Sequence, residues 1–386
     1  MKKILAFSSI RSDYDIMSPL YELLKNDDEI DFRIGISGAH LSKEFGLSVD
    51  QIKNDGIKIL FQVQTLLSGD TKVSRLKSAS ILLQNIIERV DEFSPDLLIY
   101  AGDREDMLVY AMVGGYLGIP TLHFYGGDYA KDGYIDNAVR NATSKLSTFH
   151  CVSIEKFKQR LIKMGEEPDR IFVTGNLSLD RFISFKPLKK SEILAHFDLD
   201  DDFSEFALCI FHPVTQEIQK ADVYFENILL NLKERGIKTF VSYPNTDHGN
   251  SKIFDVIAKY KDDKNFVFYK NLDREIFVSI YKHSKLIIGN SSSGVLGEAA
   301  SIGIPTVNVG FRQLGRLSDK SVIFCKSGFD DIKNALELAL SDEFLTSIKG
   351  QKSMYGDGNA AKRAYEIIKN TDFKSKILKT YDPLEG

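Results

Sequence analysis

Cysteine is scarce in this chain of 386 residues: Cys151, Cys209 and Cys325 are the whole set, and no two stand at a paired spacing. That argues against a disulfide scaffold and a cysteine-built zinc site, and it fits a reducing compartment. Long apolar runs are missing as well. No stretch approaches the ~20 apolar residues that cross a bilayer. The opening MKKILAFSSIRSDYD places two lysines before an apolar run too short for a secretory core, and charge returns at Arg11. A cytoplasmic protein with no membrane partner is the expectation. A strong excess of one charge is also absent. The net charge is −4, so no global basic field recruits nucleic acid. Any anionic ligand must then be held locally, by arginines and main-chain N–H groups. Hydrophobic content of 43% and charged content of 27% match a soluble globular enzyme.

Three familiar site signatures are lacking too. No cluster has metal-ligand spacing, His123 and Asp128 being the nearest pair. No GxGxxG follows the first apolar run, against a nicotinamide fingerprint there. No P-loop lysine stands in the hydroxyl-rich turn near residue 290, against ATP hydrolysis. No cofactor is expected.

What is present is an alternation of strand and helix signals. The runs Ile4–Phe7, Asp31–Ser37, Lys58–Val63, Asp96–Tyr100, Pro120–His123, His150–Ser153 and Ile171–Val173 read as strands, with Ser8–Asp15 as a loop and a helix beginning near Pro19. A second set starts at Ala207–Phe211 and continues through Thr239–Val241, Phe266–Phe268, Leu286–Ile288 and Thr306–Val309. Strands separated by helices predict parallel sheets covered on both faces. The length suggests two domains. A polar, lysine-rich stretch and the acidic run Asp198–Asp202 place the boundary between Gly175 and Glu205, giving domains 1–178 and 179–386, with the last helix, Ala360–Lys369, packing back. The fold class is α/β, two doubly wound halves facing a cleft.

The stretch GNSSSGVLGEAASIGIPTVNVGFRQLGR, Gly289 to Arg316, carries the strongest local signal. It reads as strand, hydroxyl-rich turn, helix, strand. A helix N-terminus offers unpaired N–H groups and a partial positive charge, which suits phosphate. Asn290, Ser291, Ser292, Ser293 and Gly294 form the turn, Glu298 suits a ribose diol, and Arg312 and Arg316 supply cationic forks. An ordinary N-cap turn is the plain alternative. Other polar clusters also follow the expected strands, where open α/β sheets bind ligands. They are Arg11 with Asp13, His40, Gly102-Asp103-Arg104, Gly126-Gly127-Asp128, His212, and Asn245 to Asp247.

Nine pieces in order carry a family resemblance: RSDYDIMSPL from Arg11, SGAHLSKEFG from Ser37, GDREDM from Gly102, HFYGGD from His123, IDNAVRNATSKLS from Ile135, FHPVT from Phe211, GNSSSGV from Gly289, GFRQLGR from Gly310 and YGDGNA from Tyr355. Together they resemble the hydrolysing UDP-N-acetylglucosamine 2-epimerases of sialic and legionaminic acid synthesis, over nearly the whole chain. The resemblance implies a two-domain glycosyltransferase-B fold. It implies elimination of UDP from a nucleotide sugar and hydration of the glycal to the 2-epimer, by a homodimer or homotetramer. It assigns Arg11, Ser292, Glu298 and Arg312 to the UDP site, with Gly297 as the alternative to Glu298, and Asp103 and His212 to catalysis. Asp136 becomes an acidic group on the other side of the sugar, with Arg140 one helical turn on.

At one position the chain departs from the family. Tyr125 stands where many members carry a catalytic glutamate. It is then either a general acid or a hydrogen-bond donor to the sugar, and Asp128 becomes a candidate for acid–base work. Asp103 or Asp136 is the candidate base for the C2 proton, and His212 acts at the pyrophosphate or leaving group. Two other classes share these features: a glycosyltransferase of the same fold, and a non-catalytic nucleotide-sugar binder.

Overall fold

The computed structural model describes residues 1–67, 71–130, 135–244, 249–270, 272–291 and 298–384. Two compact units emerge. Unit 1 comprises Met1–Tyr129, Gly133–Asp180 and Tyr355–Gly386; unit 2 comprises Arg181–Met354 and the short segment Ala130–Asp132.

Unit 1 is built on a sheet of seven parallel strands, β1 (Lys2–Ser8), β2 (Ile30–Ser37), β3 (Ile59–Val63), β4 (Leu97–Ala101), β5 (Thr121–Phe124), β6 (Phe149–Val152) and β7 (Ile171–Val173), ordered β3-β2-β1-β4-β5-β6-β7. The order reverses between β1 and β4, which pair with Ile4 opposite Leu97 and Ala6 opposite Ile99. Such a reversal leaves a crevice at the carboxyl ends of the two strands. β4 and the Ile4–Phe7 stretch of β1 are apolar throughout because helices cover both faces. Ile4, Leu5, Leu97, Leu98 and Ile99 are all fully buried.

Unit 2 repeats the plan with six parallel strands, β8 (Phe206–Ile210), β9 (Lys238–Ser242), β10 (Phe266–Tyr269), β11 (Leu286–Gly289), β12 (Thr306–Val309) and β13 (Val322–Cys325), ordered β10-β9-β8-β11-β12-β13. Its reversal lies between β8 and β11. There Gly289, at φ 141°, sits against Ile210, and a Cβ on it would fall 2.0 Å from the Ile210 carbonyl oxygen. Only glycine fits at that strand exit.

Two expectations need correction. The segment expected as a loop from Ser8 to Asp15 becomes helix at Arg11, and this first helix runs Arg11–Lys25 with Pro19 inside it. Proline cannot donate to the carbonyl four residues back. The Ser18 hydroxyl donates to that same Asp15 carbonyl at 2.9 Å, so the acceptor is satisfied and the helix continues. Strand β13 was not expected at all: it is a short edge strand beside β12, with only Val322 buried.

The C-terminal helix, Ala360–Asn370, belongs to unit 1. Its first N–H groups have no partner within the helix. Asp180 accepts two of them, from Ala360 at 3.0 Å and Ala361 at 2.6 Å.

Candidate functional site

The expected residues fall into two sets, one at the carboxyl edge of each sheet. In unit 1, Arg11 and Asp13 open the first helix after β1. Asp103 and Arg104 follow β4, and Arg104 immediately precedes the helix Glu105–Leu117. Arg11 Nε donates to Asp15 at 3.3 Å. Arg140, only 3% exposed, donates through Nη2 to the Asp103 carboxylate and through Nη1 to the Asp128 main-chain oxygen at 3.0 Å. Asp103 keeps 27% of its side chain exposed. The pair therefore leaves the carboxylate reachable while fixing its direction. Asp136 is the first residue of the helix Asp136–Leu146, half-buried, one turn before Arg140.

Asp128 follows a tight turn. Gly127 has φ 74°, and a Cβ there would fall 2.4 Å from the Phe157 oxygen. The Asp128 carboxylate accepts from the Tyr129 N–H at 2.7 Å. Tyr125, at φ 68°, donates its phenol to Asn176 Oδ1 at 3.0 Å.

The two histidines left outside the expected catalytic set hold loops. His123 Nε2 donates to the Gly102 carbonyl at 2.9 Å, so Nδ1 accepts from Ser144 at 3.1 Å. Burial pushes its pKa down to about 3, and that of His40 down to about 4. His40 bridges Ser8 and Ser48 at 2.8 Å each. Both rings are neutral hydrogen-bonding parts at neutral pH.

Two acidic groups at the β1/β4 reversal were passed over as site residues. Asp13 has its pKa raised to about 8, by burial first; Arg104 opposes the shift, while Asp106, Asp103 and Glu105 add to it. Asp106 is raised to about 6, by burial and then Glu105, with Arg104 and a hydrogen bond from Ser9 opposing. Asp13 appeared in a recognised cluster, but no local pattern signals burial of a first-turn aspartate.

In unit 2, β8 runs into His212 and β11 into Asn290. The Asn290 side chain lies across the reversal. Its Oδ1 accepts from the His212 N–H at 2.8 Å and its Nδ2 donates to the His212 oxygen at 2.8 Å. Gln313 Nε2 donates to the Asn290 oxygen at 3.0 Å. Asn290 and Ser291 are both buried. Ser292, Ser293 and Gly294, with Gly297 and the cluster Asn245 to Asp247, lie outside the described residues. Glu298 is buried, with its Oε1 4.0 Å from Arg181 Nη2. Arg312 and Arg316 are half-buried beyond Gly310, which leaves β12 at φ 81°. A small pocket at the exits of β8, β11 and β12 is lined by Phe211, Tyr224, Asn290, Val309, Gly310 and Ser327. Among the described residues no group of three or more His, Cys, Asp or Glu is placed to hold a metal ion. No described helix is long and apolar enough to cross a membrane.

Comparison with known proteins agrees with this layout. The chain is 33% identical to a UDP-N,N'-diacetylbacillosamine 2-epimerase (hydrolyzing) of Legionella pneumophila, over 98% of each chain. It is 31% identical to a GDP/UDP-N,N'-diacetylbacillosamine 2-epimerase (hydrolyzing) of Campylobacter jejuni, over 89% of this chain and 88% of that one. Among solved structures, a UDP-GlcNAc 2-epimerase from Neisseria meningitidis bound to UDP-GlcNAc superposes with a TM-score of 0.79 at 19% identity, covering 96% of this chain and all of that one, a likeness of fold. The sequence model of the UDP-N-acetylglucosamine 2-epimerase family matches residues 22–369, and the chain belongs to that family.

Proposed function

We propose that this protein is a hydrolysing 2-epimerase of a UDP-linked 2-acetamido sugar. The substrate is UDP-N-acetylglucosamine or a 2,4-diacetamido relative, and the product is the free 2-epimer for nonulosonic acid synthesis. The observation that carries the reading is Asp103: a partly exposed carboxylate at the strand-order reversal of unit 1, aimed by a buried arginine. The similarity to two relatives named for diacetylbacillosamine favours the 2,4-diacetamido sugar.

The chemistry divides between the two sets of residues. Loss of UDP puts charge on the leaving pyrophosphate. In this reading Arg312, Arg316 and Arg11 stabilise that charge, with Ser291 to Gly294 supplying N–H and hydroxyl donors. Glu298 accepts from the ribose, and His212 assists at the pyrophosphate. Asp103 or Asp136 takes the C2 proton as the C1–O bond breaks, giving UDP and a glycal. Water then adds at C1 while the other acidic group returns a proton to C2 from the opposite face. In the same reading Asp128 serves as a further acid and Arg104 as a further cation for the diphosphate.

An NMR time course in D₂O with each candidate nucleotide sugar tests this. Free UDP should appear without any acceptor, and the product should carry deuterium at C2, because the abstracted proton exchanges before hydration. UDP release with protium retained at C2 would replace the glycal by direct hydrolysis at C1. UDP release only with an added acceptor would make the protein a glycosyltransferase.

A further inference from the structure

Tyr125 interrupts the local rules. It occupies the left-handed region at φ 68°, a strained conformation for a bulky residue that persists only where its surroundings over-determine it. Those surroundings are visible. Its N–H donates to the Cys151 oxygen at 3.1 Å, prolonging the β5/β6 ladder past the end of β5. Two glycines follow without slack. A Cβ on Gly126 would lie 3.0 Å from Ser144 Oγ, and one on Gly127 would strike the Phe157 backbone. The turn 125–128 thus leaves the sheet in one direction only, and the Tyr125 backbone sets it.

The phenol is anchored on the other side. It donates to Asn176 Oδ1 at 3.0 Å, and the same oxygen accepts the Ser178 N–H at 3.0 Å at the start of the helix Leu177–Ser184. The Asn176 N–H donates to the Tyr355 oxygen at 2.8 Å. A Cβ on Gly356 would sit 3.5 Å from the Gly175 Cα, so the 175–176 and 355–356 segments pack backbone to backbone. These segments adjoin the exit of the chain from unit 1 after Asp180 and its return at Tyr355. At its far end the turn presents the Asp128 oxygen to Arg140, which also holds the Asp103 carboxylate.

We infer that Tyr125 is a positioning residue, a tie between Asn176 and the turn 125–128 that sets Arg140 and, through it, the direction of Asp103. This rests on the 2-epimerase reading and deepens it. A phenol whose proton points at an amide oxygen is a committed neutral donor. Ionising it would set a phenolate against the Asn176 carbonyl dipole, so it is poorly placed to carry protons. In this reading the acid–base work stays with the aspartates, and the tyrosine keeps the turn in register.

The test uses the full-length enzyme with UDP-N-acetylglucosamine and, if that is not turned over, its 2,4-diacetamido relative. Tyr125→Phe, Asn176→Ala and the double variant are compared for kcat, UDP affinity by calorimetry, and pH–rate profile. Loss of one tie shifts the turn without removing an acid or base, so each single variant should lose about 10- to 10²-fold in kcat. UDP affinity should stay within about twofold, since no UDP contact is removed. The double variant should be no worse than the weaker single, because both remove the same hydrogen bond. The Tyr125→Phe pH–rate profile should superimpose on wild type after scaling. A lost limb in that profile, additive effects in the double variant, or unchanged kcat in Tyr125→Phe would each overturn the proposal. If wild type turns over neither nucleotide sugar, the reaction itself fails, and the positioning role falls with it.

Discussion

Asn290 and His212 exchange two hydrogen bonds of 2.8 Å, amide to main chain, across the β8/β11 reversal. The side chain of one strand exit behaves as an extra rung of ladder for the other. His212 owes the path of its backbone to a residue 78 positions away.

Asn290→Ala should remove both hydrogen bonds from the part-buried His212 main chain, at a cost of about 1–3 kcal/mol in all. Urea unfolding should show a lower midpoint with an unchanged slope, and turnover should drop as His212 loses its register. A wild-type midpoint would mean that the pairing contributes nothing.

Arg140→Met tests the clamp on Asp103. Removing one partner of a pair whose cation is buried typically costs about 3–5 kcal/mol; Asp103 is part-exposed, so the lower end of that range, or less, is expected here. The fall in stability should be accompanied by a fall in kcat. A variant as stable and as active as wild type would remove Arg140 from the site.

Asp103→Asn and Asp136→Asn keep shape and remove a base. Turnover should fall by about 10²- to 10⁴-fold, with UDP affinity nearly unchanged by calorimetry. If neither variant loses more than a few-fold, the base lies elsewhere, and Asp128 is the next to examine.

In the proposed site, Arg312→Ala would remove a charge-assisted contact to the diphosphate, worth about 1.5–3 kcal/mol in binding. Titration calorimetry with UDP should show the corresponding rise in Kd, and an unchanged Kd would move the nucleotide away from the β12 exit.

Asp13 makes stability depend on pH. Its carboxyl is raised from 3.8 to about 8, by burial above all. Below about pH 4 both folded and unfolded chains hold the proton. Between that point and about 8 only the folded chain holds it, so unfolding releases a proton and stability falls as pH rises. Asp13→Asn should flatten this part of the stability curve. Parallel curves for variant and wild type from pH 5 to 8 would show that Asp13 titrates normally.

Much of the fold was legible because its signals are local. Runs such as Leu97–Tyr100 and Leu286–Ile288 are apolar and bounded by polar turns, and parallel sheets buried on both faces produce that pattern. The positions of Asp103, His212 and Asn290 just past strand ends followed from the same reading. Pro19 misled it, because the compensating Ser18 hydroxyl is a three-dimensional detail. β13 was missed because VIFC is a short, half-buried edge strand with little contrast to its surroundings.

The amino-acid sequence by itself determined the alternation of strands and helices, the glycines that strand exits demand, and the identity of the polar groups at those exits. Tertiary structure alone decided what those groups do to one another. Arg140 meets Asp103 across 37 residues, Asp180 caps a helix 180 residues away, and Tyr125 reaches Asn176 across 51. Periodicity reports only which face of an element is apolar. Which polar group stands opposite another depends on strand order and register, and so does how deeply burial shifts its proton affinity.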